Sequence, residues 1–146
     1  MKSPIFIAVI AAIAGTLIKP IADFIFNYFT YQVSRSKTRN LTGRWRTKWS
    51  YISDGTLKEH ADEMQINQTL FYVRGQAEDG MHKYIVRARV LPDGIMQGEW
   101  RDIQPHTDWY GPFKLYIQPN GTKMIGKWLG KGSDGIRAGD WVWEKM

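Results

Sequence analysis

From Leu41 to Ile52 the chain alternates by twos: Trp45, Thr47, Trp49 and Tyr51 fall on one face, and Arg44, Arg46, Lys48 and Ser50 on the other. A period of two belongs to a pleated strand, here with one aromatic and one cationic face, and not to a helix. Short alternating runs recur to the end of the chain and predict further strands. Met64 and Ile66 mark a second between His60 and Gln68, and Phe71, Val73 and Gly75 a third. Tyr84, Val86, Ala88 and Val90 mark a fourth, with Arg87 and Arg89 on its other face. Met96, Gly98 and Trp100 mark a fifth, Phe113, Leu115 and Ile117 a sixth, Met124, Gly126 and Trp128 a seventh, and Trp141 with Trp143 an eighth. Pro92-Asp93-Gly94 and Pro119-Asn120-Gly121 are turns, since Pro presets φ and Gly accepts a positive one. Gly130-Lys131-Gly132-Ser133-Asp134-Gly135 reads as the loop before the last strand.

Eight short strands with short connections predict an all-β fold, a small eight-stranded antiparallel up-and-down β-barrel, because closure removes exposed edges. A sandwich or split barrel is the alternative. At eight strands the interior is either filled by side chains or holds one small ligand. Gly stands two residues before Trp four times, at Gly43/Trp45, Gly98/Trp100, Gly126/Trp128 and Gly139/Trp141. That spacing predicts strong local bending, or rings that cross a neighbouring backbone. Trp45 is assigned to the core.

Residues 1–40 follow a different pattern. Pro4 to Ile18 is uncharged and apolar apart from Gly15 and Thr16, and apolar character resumes from Ile21 through Tyr31. The first run alone makes a helix of about 22 Å, short of the ~30 Å hydrocarbon core, whereas Pro4 to Val33 is long enough. Residues 1–33 are therefore read as a transmembrane anchor bent at Pro20, residues 34–40 as a basic linker and residues 41–146 as the barrel. A signal peptide cleaved at Ala12-Ile13-Ala14 competes with this reading, and one span or a span followed by an interfacial piece both stay open. Lys19 and Asp23, at i,i+4 spacing, pair locally or bridge neighbouring helices. Ala8 with Ala12, and Ala11 with Gly15, permit close helix approach. Arg35, Lys37, Arg39, Arg44, Arg46 and Lys48 follow the segment and only Lys2 precedes it, which directs the C-terminal domain to the cytoplasm.

A net charge of +6 favours an anionic partner. The absence of Cys excludes a thiol nucleophile and a Cys-ligated metal. His60, His82 and His106 lie on separate segments, with no helix-spaced pair for a metal. Gly121-x4-Gly126-Lys127 approaches a phosphate-binding loop, but Trp128 replaces the required Ser or Thr, within a strand. No enzymatic activity, metal or cofactor is expected. The parts that remain suit binding, since aromatic faces stack on bases and Arg forks hold phosphates. Trp109 and Tyr110 adjoin the polar Gln104–Asp108 loop, Trp100 and Arg101 end a strand, and Arg137 is assigned to the last loop. These five are the candidate ligand contacts.

Gly43-x-Trp45 on the first strand of such a barrel resembles the signature of lipocalins, which implies a barrel with a small ligand inside. The whole layout of hydrophobic anchor, basic link and Trp-rich barrel resembles the transmembrane β-barrel effectors of bacterial CBASS (cyclic-oligonucleotide-based anti-phage signalling) operons. That resemblance implies a receptor for a cyclic dinucleotide, with no nucleic acid polymer as partner. It also implies a bacterial inner-membrane location with the barrel in the cytoplasm. Binding would drive homo-oligomerisation in the bilayer, membrane disruption and cell death. The alternatives are an anchored carrier of an apolar ligand, with Val86, Phe113 and Leu115 lining its lumen, and an interaction module with a filled barrel.

Overall fold

A computed structural model describes Lys19 and residues 22–27, 39–78, 83–132 and 135–146. The chain divides into two compact units, Met1–Arg35 and Ser36–Met146. In the first, Lys19 and residues 22–27 are helical and exposed. No helix among the described residues is long and apolar enough to cross a membrane. Most of the expected anchor, including Ala8, Ala11, Ala12, Gly15 and Pro20, lies outside the described residues. Lys19 and Asp23 are both exposed. An exposed pair gains only about 0–1 kcal/mol, against the cost of ordering both side chains.

The second unit is a closed barrel of eight antiparallel strands in sequence order, β1 (Gly43–Ser53), β2 (Thr56–Thr69), β3 (Tyr72–Glu78), β4 (Lys83–Val90), β5 (Ile95–Asp102), β6 (Tyr110–Ile117), β7 (Lys123–Gly132) and β8 (Gly135–Lys145). β8 returns to pair with β1, from Trp45↔Lys145 to Trp49↔Trp141, so no edge is left open. Alternation decides what fills the interior. Trp45, Met64, Ile66, Val73, Val86, Met96, Leu115, Met124 and Trp143 are all buried, and their strand neighbours Arg46, Gln65, Arg74, Arg87, Lys114 and Ile125 face outward. Trp45 is fully buried, and its indole N–H donates to Leu41 O at 2.8 Å.

The end of the barrel where β1 begins is shut by residues 39–42. Arg39 donates to Ile117 O (3.1 Å) and Gln118 O (2.7 Å) at the end of β6. Leu41 N–H donates to Gln68 Oε1 (2.8 Å), and Gln68 N–H to Thr42 Oγ1 (3.0 Å), at the end of β2. β2 and β6 lie on opposite sides of the closed order, so this segment crosses the base and seats Leu41 in it as a plug. The start of β1 is therefore fixed by tertiary contacts, whereas the far end is free to be shaped by loops.

Two strand limits differ from the sequence reading. β2 begins at Thr56, because Ser53↔Thr56 closes a tight hairpin through Asp54 and Gly55, both at positive φ. Phe71 sits in the β2–β3 turn after Leu70 (φ 55°), with the Arg89 guanidinium 5.1 Å from its ring. The Gly-x-Trp spacing acquires a cause in the packing. A Cβ on Gly98, Gly126 or Gly139 would collide with a carbonyl oxygen of the neighbouring strand, on Arg87, Lys114 and Ser50 respectively. Only glycine allows backbones to approach that closely in a strongly coiled barrel.

Candidate ligand-binding site

At the end opposite the plug, the inward positions become almost entirely aromatic. Trp49 and Tyr51 of β1, Tyr84 of β4, Trp100 and Asp102 of β5, Trp109 of the β5–β6 connection, Trp128 of β7, and Arg137 and Trp141 of β8 enclose a box of about 140 Å³. Trp128 meets Trp49 and Trp100 edge-on, with centroids 5.7 and 5.6 Å apart. Trp49 stacks on Tyr51 at 5.8 Å and on His60 at 4.3 Å. Both geometries are favoured by ring quadrupoles, so the walls hold one another in place.

Three of the wall indoles spend their N–H groups on the scaffold, whereas that of Trp141 is buried with no hydrogen-bond partner among the described residues. Trp100 donates to Leu129 O (2.9 Å) and Trp128 to Ser50 O (3.2 Å). Trp49 donates to Asp62 Oδ2 at 2.7 Å, and the Tyr84 hydroxyl donates to the same oxygen at 3.1 Å. The Thr47 hydroxyl lies 3.0 Å from the Tyr84 hydroxyl and extends the network inward. Asp62 is thus a buried carboxyl group that fixes two ring walls by hydrogen bonds.

The Gly130–Gly135 stretch does not form the long loop read from the sequence. Gly130 and Gly132 belong to β7, with only residues 133 and 134 between the strands. A Cβ on Gly132 would overlap the Trp109 indole, and one on Gly130 would meet the rings of Trp100, Trp128 and Trp109. The glycines form a bare floor on which the tryptophans lie. Above it the Arg137 guanidinium sits 4.7 Å from the Trp109 ring and 5.0 Å from the Tyr51 ring. A desolvated contact of this kind is worth about 2 kcal/mol, and an exposed one about 0.5–1.

Of the five candidate contacts, Trp100, Trp109 and Arg137 come together in the box. Arg101 and Tyr110 do not. They are cross-strand partners on the outer face, both exposed, with the guanidinium 5.6 Å from the phenol ring. Parity is the reason: Trp100 and Asp102 point inward, so Arg101 between them points out. Sequence reading missed Trp49, Tyr51, Tyr84, Asp102, Trp128 and Trp141 as site residues, and Asp62 behind them. The available signal was an acid at an inward-parity position, Asp62 two residues before Met64 and Asp102 two after Trp100. Among the described residues no group of three or more His, Asp or Glu side chains could hold a metal ion.

No protein-family model matches the chain, and no curated protein does. Among solved structures, a redesigned β barrel is similar at a TM-score of 0.51 and 16% identity, over 73% of this chain and 91% of that one. At that identity the likeness concerns the barrel fold alone.

Proposed function

We propose that the chain is a membrane-tethered, non-catalytic receptor whose barrel takes one base of a cyclic dinucleotide into the aromatic box. The observation that carries this reading is the box itself, with ring faces on several sides and a guanidinium at its mouth. Ring faces stack on a base for about 1–3 kcal/mol, and Arg137 offers a fork for the adjoining phosphate. The free volume is close to the ~150 Å³ in which a benzene ring binds in an engineered cavity, so one ring enters and the rest of the ligand stays outside. A cyclic dinucleotide then has a second base to offer a second barrel. That supplies the differential affinity for an assembled state that coupling to oligomerisation needs.

Residues 1–33 serve in this reading as the inner-membrane anchor, with the barrel in the cytoplasm, and association of the anchors disrupts the bilayer as in CBASS defence. The apolar-carrier reading is less well supported, because Val86, Phe113 and Leu115 are packed in the core below the box. The test uses the full chain in mild detergent, titrated with cyclic dinucleotides while tryptophan emission is followed. Saturable quenching at one ligand per two chains, weakened at least fivefold by Arg137→Ala, is expected. Absence of quenching at millimolar ligand refutes the reading. Deleting residues 1–33 is expected to leave binding intact and abolish toxicity in cells.

A further inference from the structure

The box walls are ring faces, which stack on any base and select none. Selectivity has to come from polar groups that meet the edge of the ring. Three of the wall indoles have already given their N–H groups to Asp62, Leu129 and Ser50. The Tyr84 hydroxyl is engaged with Asp62 and Thr47. The lining does contain a carboxylate, Asp102, directly across the β4–β5 ladder from Tyr84 on the inward face. Its Oδ1 accepts the Gln104 N–H at 2.9 Å, which fixes the side chain against its own loop. An ionised carboxylate has about four lone-pair sites on two oxygens, so this bond leaves capacity on both.

We infer that Asp102 is the specificity-determining residue of the box and that it selects guanine; the inference rests on the nucleotide reading above. A carboxylate accepts two parallel N–H bonds from a planar donor pair, as it does from arginine. Among the common bases only guanine presents such a pair on its Watson–Crick edge, N1–H beside the N2 amino group. Adenine places the N1 lone pair there, facing the carboxylate charge. Cytosine does the same with N3, and uracil flanks its single N–H with two carbonyls. The volume admits one six-membered ring, and in a purine that ring carries the selective edge. The ribose and phosphate are then directed toward the mouth and Arg137.

The test compares guanosine, adenosine and inosine 5′-monophosphates on the full chain in detergent, read by tryptophan quenching. A bidentate pair discriminates by about tenfold or more. GMP is expected to bind at least tenfold tighter than AMP, with IMP, which lacks the amino group, between them. Asp102→Asn should remove the GMP advantage and leave AMP binding in place. It should also gain affinity for xanthosine monophosphate, whose C2 carbonyl accepts from the new amide, an effect no merely structural role produces. Equal binding of GMP and AMP by the wild-type chain, or a preference that survives Asp102→Asn, overturns the assignment and leaves the nucleotide reading standing. Failure of all the monophosphates to bind overturns the assignment, and the nucleotide reading then stands or falls on the cyclic dinucleotide titration.

Discussion

Replacing Gly132 by alanine separates the site from the barrel that carries it. The new Cβ would overlap three atoms of the Trp109 indole. Trp109 precedes β6 on a connection and is only half-buried, so the ring moves and the strand stays. What is lost at once is the Arg137–Trp109 contact at 4.7 Å, about 0.5–2 kcal/mol. Stability should therefore fall by no more than about 2 kcal/mol. A stacked base would lose one wall at about 1–3 kcal/mol, which weakens GMP binding roughly 5- to 150-fold. Gly126→Ala is the contrasting change, because its Cβ would strike Lys114 O and Leu115 Cα, which are backbone atoms of β6. Neither can step aside, so the cost should exceed the usual ~1–3 kcal/mol of overpacking. Urea unfolding followed by far-UV circular dichroism measures both stabilities, and emission from Trp109 reports its displacement. A Gly132→Ala protein with wild-type emission and wild-type GMP affinity would refute the claim that the glycine floor positions Trp109.

Further outcomes follow from the packing. Trp45 and Trp143 are both fully buried, but the Trp45 indole N–H is bonded to Leu41 O whereas that of Trp143 has no partner among the described residues. Trp45→Phe should accordingly cost about 1–3 kcal/mol more than Trp143→Phe in urea titrations, since only the first orphans a buried carbonyl. Glu144 accepts a hydrogen bond from Lys123 at 2.9 Å, and that bond with the Lys123 charge holds its pKa below the ordinary 4.5; Lys48 and Arg46 add to the effect and desolvation opposes it. A lowered folded-state pKa stabilises above the unfolded value and is lost as pH falls through the folded one. The melting temperature should thus decline below pH 4.5, less steeply in Lys123→Ala, and the difference should shrink in high salt. Arg39→Ala removes both bonds from the base-crossing segment to β6. It should raise amide exchange at Leu41 and Thr42 while leaving the mouth of the barrel protected as before.

Strand number, topology and the inward faces were legible because a barrel with one wet and one dry face writes its pleat directly into the sequence. The parity that put Trp45 and Thr47 inside also put Arg101 outside, and the same rule applied to the candidate contacts removes Arg101 and Tyr110. Other features were not legible because they depend on contacts distant in sequence. Asp62 looks like one more charge in a polar strand until Trp49, from a paired strand, and Tyr84, from β4, bring their donors to it. The Gly130-Lys131-Gly132 run carries the composition of a loop, and only the rings laid across it show why glycine is required there. The N-terminal apolar segment had a strong compositional signal, but few of its residues are described.

The position of the box follows from how the two ends of the barrel are filled. Near the base, flexible or branched side chains such as Met64, Ile66, Met96, Leu115 and Met124 close around Trp45 and Trp143 and leave these residues almost no exposed surface. Methionine in particular adapts to irregular gaps. Toward the mouth the same strands carry rings, and rings braced edge-on against each other cannot collapse to fill the space between them. The hydrogen bonds to Asp62, Leu129 and Ser50 hold Trp49, Trp100 and Trp128 in their orientations. A rigid wall that fails to close is a preorganised pocket, and preorganisation lowers the ordering cost of binding. The same bonds that stabilise this end of the barrel therefore keep the box open, and loosening them should weaken a ligand's hold before it unfolds the chain.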